Sequence, residues 1–216
     1  MSLPYLPTKE IIANRALIAI GSEGIVSFED GTPQANVVKQ IYSSYIQSLL
    51  TRGNWSFSSK QMQLTQLVET PVAFWRYSYE FPANCLKIRS LYSSNQPYVI
   101  PTQDYQIFEP RVIYSNEQQL WADYINVVDE SQWPYYFVEF VIDALSYKFS
   151  YPITRDVQLT EYCRGVAFGS AAENWEGGTY AEACNQDSKQ NTNCFLPLSI
   201  QQNSRNYMGA NTFGTY

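Results

Sequence analysis

Apolar residues recur at helical spacing in four stretches of the chain, and between the second and third the period turns strand-like. The first stretch, about Thr8 to Ile20, places Ile11, Ile12, Ala16, Ala19 and Ile20 close to helical spacing behind Thr8 as N-cap, and Gly21 and Gly24 end it. Thr32-Pro33 then opens a second helix, a hydroxyl cap followed by the proline that favours the first helical position. Val37, Val38, Ile41, Tyr42, Tyr45, Ile46, Leu49 and Leu50 follow at i, i+3, i+4, i+7, i+8, an amphipathic run that ends at Gly53.

Past Trp55 the chain breaks into short β-branched and aromatic runs: Phe74 to Phe81, Leu86 to Arg89, Tyr98 to Ile100, Tyr105 to Phe108, Arg111 to Tyr114 and Leu120 to Val128. Prolines 71, 82, 97, 101 and 110 punctuate them, so residues 55–129 read as a small antiparallel β-domain. Helical spacing returns with Trp133, Phe137, Phe140, Val141, Ala144, Leu145 and Phe149, a stripe that Pro152 is expected to stop. A fourth helix is expected over about Thr154 to Glu176, weakened by Gly165 and Gly169.

Two helices before the β-domain and two after it bury their stripes most simply against one another. The expected fold class is therefore α+β: a four-helix bundle (residues 1–54 and 130–176), an inserted antiparallel β-domain (55–129) and an extended C-terminal tail (177–216). The tail is rich in Asn, Gln, Ser and Gly and has little to bury alone, so it is expected to order on another surface.

Composition narrows the chemistry. Hydrophobic residues make up 45% and aromatic residues 16% of the 216, a globular balance, and there is no histidine. Imidazole-dependent catalysis, His-ligated metals and histidine pH switches are thereby excluded. The net charge of −6 is unevenly placed: residues 112–187 hold 12 acidic and 3 basic groups, whereas residues 1–111 hold 8 and 9. That is the reverse of a nucleic-acid binder's basic footprint. Cys85, Cys163, Cys184 and Cys194 form no C-x-x-C pair and read as reduced thiols, with Cys184 and Cys194 the one pair close enough to suggest a bridge. The first residues, MSLPYLPTKE, show no signal-peptide pattern and no apolar run is long enough to span a bilayer, so neither export nor anchoring is expected.

Phosphate-cradling loops, nucleophile elbows and calcium loops are absent as motifs. Glu139 and Asp143, one helical turn apart, could serve glycoside cleavage as paired carboxylates or simply form a solvated acidic strip. The β-domain's tyrosines and tryptophans, among them Tyr92 and Trp121, could be sheet packing, a protein interface or a sugar-stacking platform. A glycan-cleaving enzyme domain and an aromatic-rich carbohydrate-binding module thus stand as alternatives.

Ala16-Leu17-Ile18-Ala19-Ile20-Gly21, the link Val26-Ser27-Phe28-Glu29-Asp30-Gly31, the long second helix and its ending Arg52-Gly53-Asn54-Trp55-Ser56-Phe57 resemble the opening of the tail tubular protein A family. These are the head-to-tail adaptors of short-tailed bacteriophages. The resemblance covers about residues 10–60 and, more weakly, 130–175, where Trp133-Pro134-Tyr135-Tyr136-Phe137 opens a helix. The chain departs from the family's R-G-W-x-F entry by inserting Asn54, and from its length by the amide-rich C-terminus.

The resemblance implies a structural virion protein at the head-tail interface, made in the host cytoplasm, with no enzymatic activity, no cofactor and no membrane contact. It implies a dodecameric ring of self-assembled subunits between the portal protein and the tail nozzle protein, with tail fibres as a further partner to test. Double-stranded DNA would pass through that ring without sequence-specific binding, and an acidic wall would limit sticking. Glu139, Asp143 and Glu173 are then expected at the lumen or the subunit seam. Phe195, Leu196, Leu198, Ile200, Tyr207, Met208, Phe213 and Tyr216 are expected to dock the tail on the portal.

Overall fold

A computed structural model describes residues 7–190, apart from positions 70, 72, 73, 97, 98, 109 and 110, as a mixture of helix and antiparallel sheet. Helix α1 (Lys9–Ala19) begins where the Thr8 hydroxyl accepts from Ile11 N–H, and α2 (Pro33–Arg52) where the Thr32 hydroxyl accepts from Ala35 N–H. Between them the Asn14 amide clamps the link, donating to the Ile25 carbonyl at 2.8 Å and accepting from Ile25 N–H at 2.7 Å.

Helix α3 (Tyr135–Thr154) is apolar on most of its circumference, and it packs against α1, α2, α4 (Val157–Phe168) and α5 (Gly178–Gln190). Its Phe137, Phe140, Val141, Leu145 and Phe149 are fully buried and form the centre of the helical core.

The strands all lie between α2 and α3 in sequence. Strands β1 (Ser59–Gln63), β6 (Trp121–Asn126) and β3 (Cys85–Tyr92) form one three-stranded sheet in the order β1-β6-β3; β2 (Tyr77–Glu80), β5 (Val112–Ser115) and β4 (Tyr105–Phe108) form a second in the order β2-β5-β4. All pairings are antiparallel. Leu64, Tyr79, Leu91, Ile113 and Leu120 gather in a separate core between the strands, while Ile125 of β6 belongs to the helical core.

The Arg52-Gly53-Asn54-Trp55-Ser56-Phe57 entry joins the two regions. Trp55 is buried, donates its indole N–H to the Leu49 carbonyl at 3.1 Å and meets Phe137 edge-on at 4.9 Å between ring centres. Gly53 lies flat against that indole: a Cβ there would stand 2.6 Å from the Trp55 ring. Phe57 stacks on Phe137 at 4.8 Å.

Several sequence expectations are corrected here. Pro152 does not stop the third helix, which runs on to Thr154 and ends at Arg155 in the left-handed region (φ 59°). The proline's missing N–H is tolerated because it falls in the last turn, where it leaves only the Lys148 carbonyl without a helical donor. The fourth helix is shorter than 154–176: it starts after Asp156, whose carboxylate caps Gln158 and Leu159 N–H, and stops at Gly169, whose φ of 73° suits glycine. No strand forms at Val99 and Ile100, which lie between Pro97 and Pro101.

Among the described residues the four-helix expectation gives way to five helices, because α5 occupies the first part of the expected tail, 177–216. Tyr180, Ala183, Cys184 and Asp187 recur at i, i+3, i+4, i+7 and turn inward, a helical stripe diluted by the amides around it. The remainder of the tail, including Phe195, Leu196, Leu198, Ile200, Tyr207, Met208, Phe213 and Tyr216, lies outside the described residues, as does Cys194. Cys85, Cys163 and Cys184 are free thiols.

Candidate functional site

The acidic residues of α3 open onto a seam between α1, α4 and α5. Glu139 is exposed, and its two carboxylate oxygens take a two-pronged ion pair from Arg15 of α1, at 2.9 Å each. Both partners are solvated, so the pair fixes geometry more than it stabilises. One turn on, Asp143 is half-buried in a cavity of about 230 Å³ that Ala19, Ser146, Tyr162, Cys163 and Val166 help to line.

Burial pushes the Asp143 carboxyl above its ordinary value, and the Glu139 and Glu182 carboxylates add to that push; the Thr179 hydroxyl and Arg15 oppose it. Thr179 Oγ1 makes no hydrogen bond of ordinary geometry, so it acts on Asp143 as a neighbouring dipole rather than as a partner. Glu182, on α5, lines a second hollow of about 290 Å³ together with Glu139 and Gln186. The seam thus brings together Glu139, Asp143 and Glu182, with Arg15 the cation in contact with it.

Glu173 stands apart from this group. It closes a capping box in the short 3₁₀ turn Ala171–Glu173, accepting from Ser170 N–H at 2.8 Å and Ser170 Oγ at 3.0 Å, and these bonds hold its carboxyl below the usual range. A Cβ on Gly177 would stand 2.7 Å from its carboxylate, so a larger residue there would push the Glu173 carboxylate from its place.

The opposite side of α3 carries the opposite chemistry. Nine residues at about 100° each put Lys148 half a turn round the helix from Glu139. Lys148 Nζ stands 5.1 Å from the Tyr45 ring centre and 5.2 Å from that of Tyr147. Arg164 lies 3.6 Å over Trp175, and Arg52 lies 4.5 Å over Phe168 and 4.9 Å over Tyr180 while donating to the Trp175 carbonyl. Three cations and five rings thereby interleave across α2, α3, α4, the turn before α5 and α5 itself.

Comparison with protein-family models and with curated proteins returns no match. Among the described residues no group of three or more His, Cys, Asp or Glu side chains could hold a metal ion, and no helix is long and apolar enough to cross a membrane. Sequence reasoning placed Glu139 and Asp143 together on one helix face; it missed Glu182, Arg15 and the cation-aromatic array. Glu182 was legible only through the i, i+3, i+4 stripe of α5, and the array has no local signal because its members come from separate helices.

Proposed function

We propose that this chain is a structural subunit of a head-to-tail adaptor ring, seated between a portal protein and a tail nozzle and enclosing the passage for DNA. The observation that carries the reading is the pair of unlike sides about α3: Glu139 and Asp143 with Glu182 of α5 on one, Lys148 with Arg164 of α4 and Arg52 of α2 on the other. A closed ring of identical subunits joined head to tail needs two different, mutually complementary faces, and opposite charge also sets their register. In this role Glu139 and Asp143 belong to the subunit seam, and Glu173 secures the turn that presents Trp175 to Arg164. The role needs no catalytic group and no cofactor. The resemblance of residues 10–60 to the adaptor family supports the same reading, and residues 195–216 supply the docking segment for the portal.

The test is negative-stain imaging of the full chain mixed with its cognate portal. A stacked ring on the portal is expected, and a chain lacking residues 195–216 should remain folded but fail to dock. Absence of any ring with the full chain overturns the proposal.

A further inference from the structure

The face of the β1-β6-β3 sheet carries a cleft unrelated to the helical seam. Its floor spans all three strands: Gln61 from β1, Trp121 from β6 and Tyr92 from β3, with Tyr92 and Trp121 directly opposed in the register. The wall is the segment after β3, with Ser94, Asn95 and Gln96. The cavity measures about 300 Å³, at the lower end of the range for small-ligand sites.

The lining is two half-buried aromatic rings with amide and hydroxyl side chains, plus Val99 and Ala122, and none of its described residues is charged. Each amide offers both donors and an acceptor, as vicinal hydroxyls require, and the rings offer flat apolar surface for a face of C–H groups. A charged ligand would find no counter-charge in that lining. An added peptide strand could join only the edge strands β1 or β3, since the ladders of β6, which carries Trp121, are already taken. Beside the cleft, Asp123 stands opposite Gln61 on the same sheet face, near enough for the Gln61 amide to favour its charged form, and keeps Oδ1 buried without a hydrogen bond, with Arg89 Nη1 3.9 Å away. It is a desolvated acceptor next to the polar end of the floor.

We infer that this cleft binds a neutral sugar ring, stacked on Trp121 and Tyr92 and held through its hydroxyls by Gln61, Asn95 and Gln96. The site is separate from the seam on α3, so it stands or falls independently of ring assembly.

Saturation-transfer NMR on the full-length protein tests it, using the methyl glycosides of glucose, galactose, mannose and N-acetylglucosamine. Transfer to at least one of them is expected, strongest on the protons of the stacked apolar face. Trp121→Ala should weaken binding about tenfold, the worth of one aromatic contact together with its buried area. Gln61→Ala and Gln96→Ala, at exposed positions that leave the core untouched, should weaken it too, whereas Tyr162→Ala on α4 should not. Glucose 6-phosphate should bind less well than the neutral glycosides. The inference is overturned by absence of transfer from all four glycosides, by transfer that survives the Gln61 and Gln96 substitutions unchanged, by tighter binding of the phosphorylated sugar, or by a proline-rich peptide binding where no glycoside does.

Discussion

Asp187, near the end of α5, accepts from both the backbone N–H (3.0 Å) and the hydroxyl (2.7 Å) of Ser56, a residue 131 positions earlier at the entrance to the sheets. Tyr136 of α3 donates to the same carboxylate at 2.7 Å, and burial together with that carboxylate pushes its phenol well above the ordinary range. One buried acceptor therefore ties three parts of the chain: the β entry, the central helix and the helix that launches the C-terminal segment. Asp187→Ala leaves three donors unpaired in a largely dry site and should cost about 2–4 kcal/mol in urea unfolding. Limited proteolysis should then cut within residues 178–190 before the rest of the chain. A loss below about 0.5 kcal/mol would mean that α5 is held by its apolar stripe alone.

At the other end of that junction, Trp55 and Gly53 should respond as a unit. Trp55→Phe loses the bond to the Leu49 carbonyl and part of the contact with Phe137, for about 1–3 kcal/mol. Gly53→Ala drives a methyl into the indole and should cost a comparable amount in the wild type. In the double variant the smaller ring makes room, so the two losses should sum to less than their separate values; a thermal-melt double-mutant cycle measures the coupling. Strict additivity would show that the methyl is accommodated by backbone movement instead.

This junction also shows what the sequence makes readable. Thr8 and Thr32 cap their helices through local geometry, and Thr32-Pro33 with Gly53 bracket α2 to within a residue. Where tertiary contact decides, the sequence is silent. Pro152 sits in the last turn of α3, where its missing N–H leaves only the Lys148 carbonyl without a helical donor, and α5 forms because Tyr180, Ala183 and Asp187 meet the core formed by α3 and the β entry. The acidic pair of α3 was legible from its spacing, whereas the pairing of Glu139 with Arg15 spans 124 positions and has no local signature.

Asp143 should make stability depend on pH in a defined direction. Its carboxyl is raised in the folded protein, chiefly by burial, so between the unfolded value and the folded one the native state binds more protons than the unfolded state. The slope of unfolding free energy with pH is then negative: this group favours the fold in acid and loses that contribution as pH rises through its folded value. Asp143→Asn removes the effect, so at neutral pH the variant should be slightly more stable than the wild type, with a flatter profile between the ordinary carboxylate value and the raised folded one. Urea midpoints across that interval decide it, and a variant less stable than the wild type at neutral pH would show that the ionised carboxylate is stabilising.

The proposed subunit seam makes the strongest demand on the two faces of α3. Replacing Lys148 and Arg164 by glutamate removes stacked cations at 5.1 Å from Tyr45 and 3.6 Å from Trp175, a loss of about 1–2 kcal/mol that should leave the monomer folded. On the proposed seam it also sets acid against acid, and the ring should fail to form on the portal. Glu139→Lys with Glu182→Lys, both at exposed positions, should fail in the same way by setting base against base. Neither variant should assemble alone, nor should either form rings with the wild type, but an equimolar mixture of the two places a fully reversed interface next to a native one. In such a mixture each acidic-for-basic face meets a basic-for-acidic face only at alternate joints, and the remaining joints keep the native faces, so mixed rings of even subunit number should reappear under the electron microscope. Normal assembly of either variant by itself would remove these two faces from the seam.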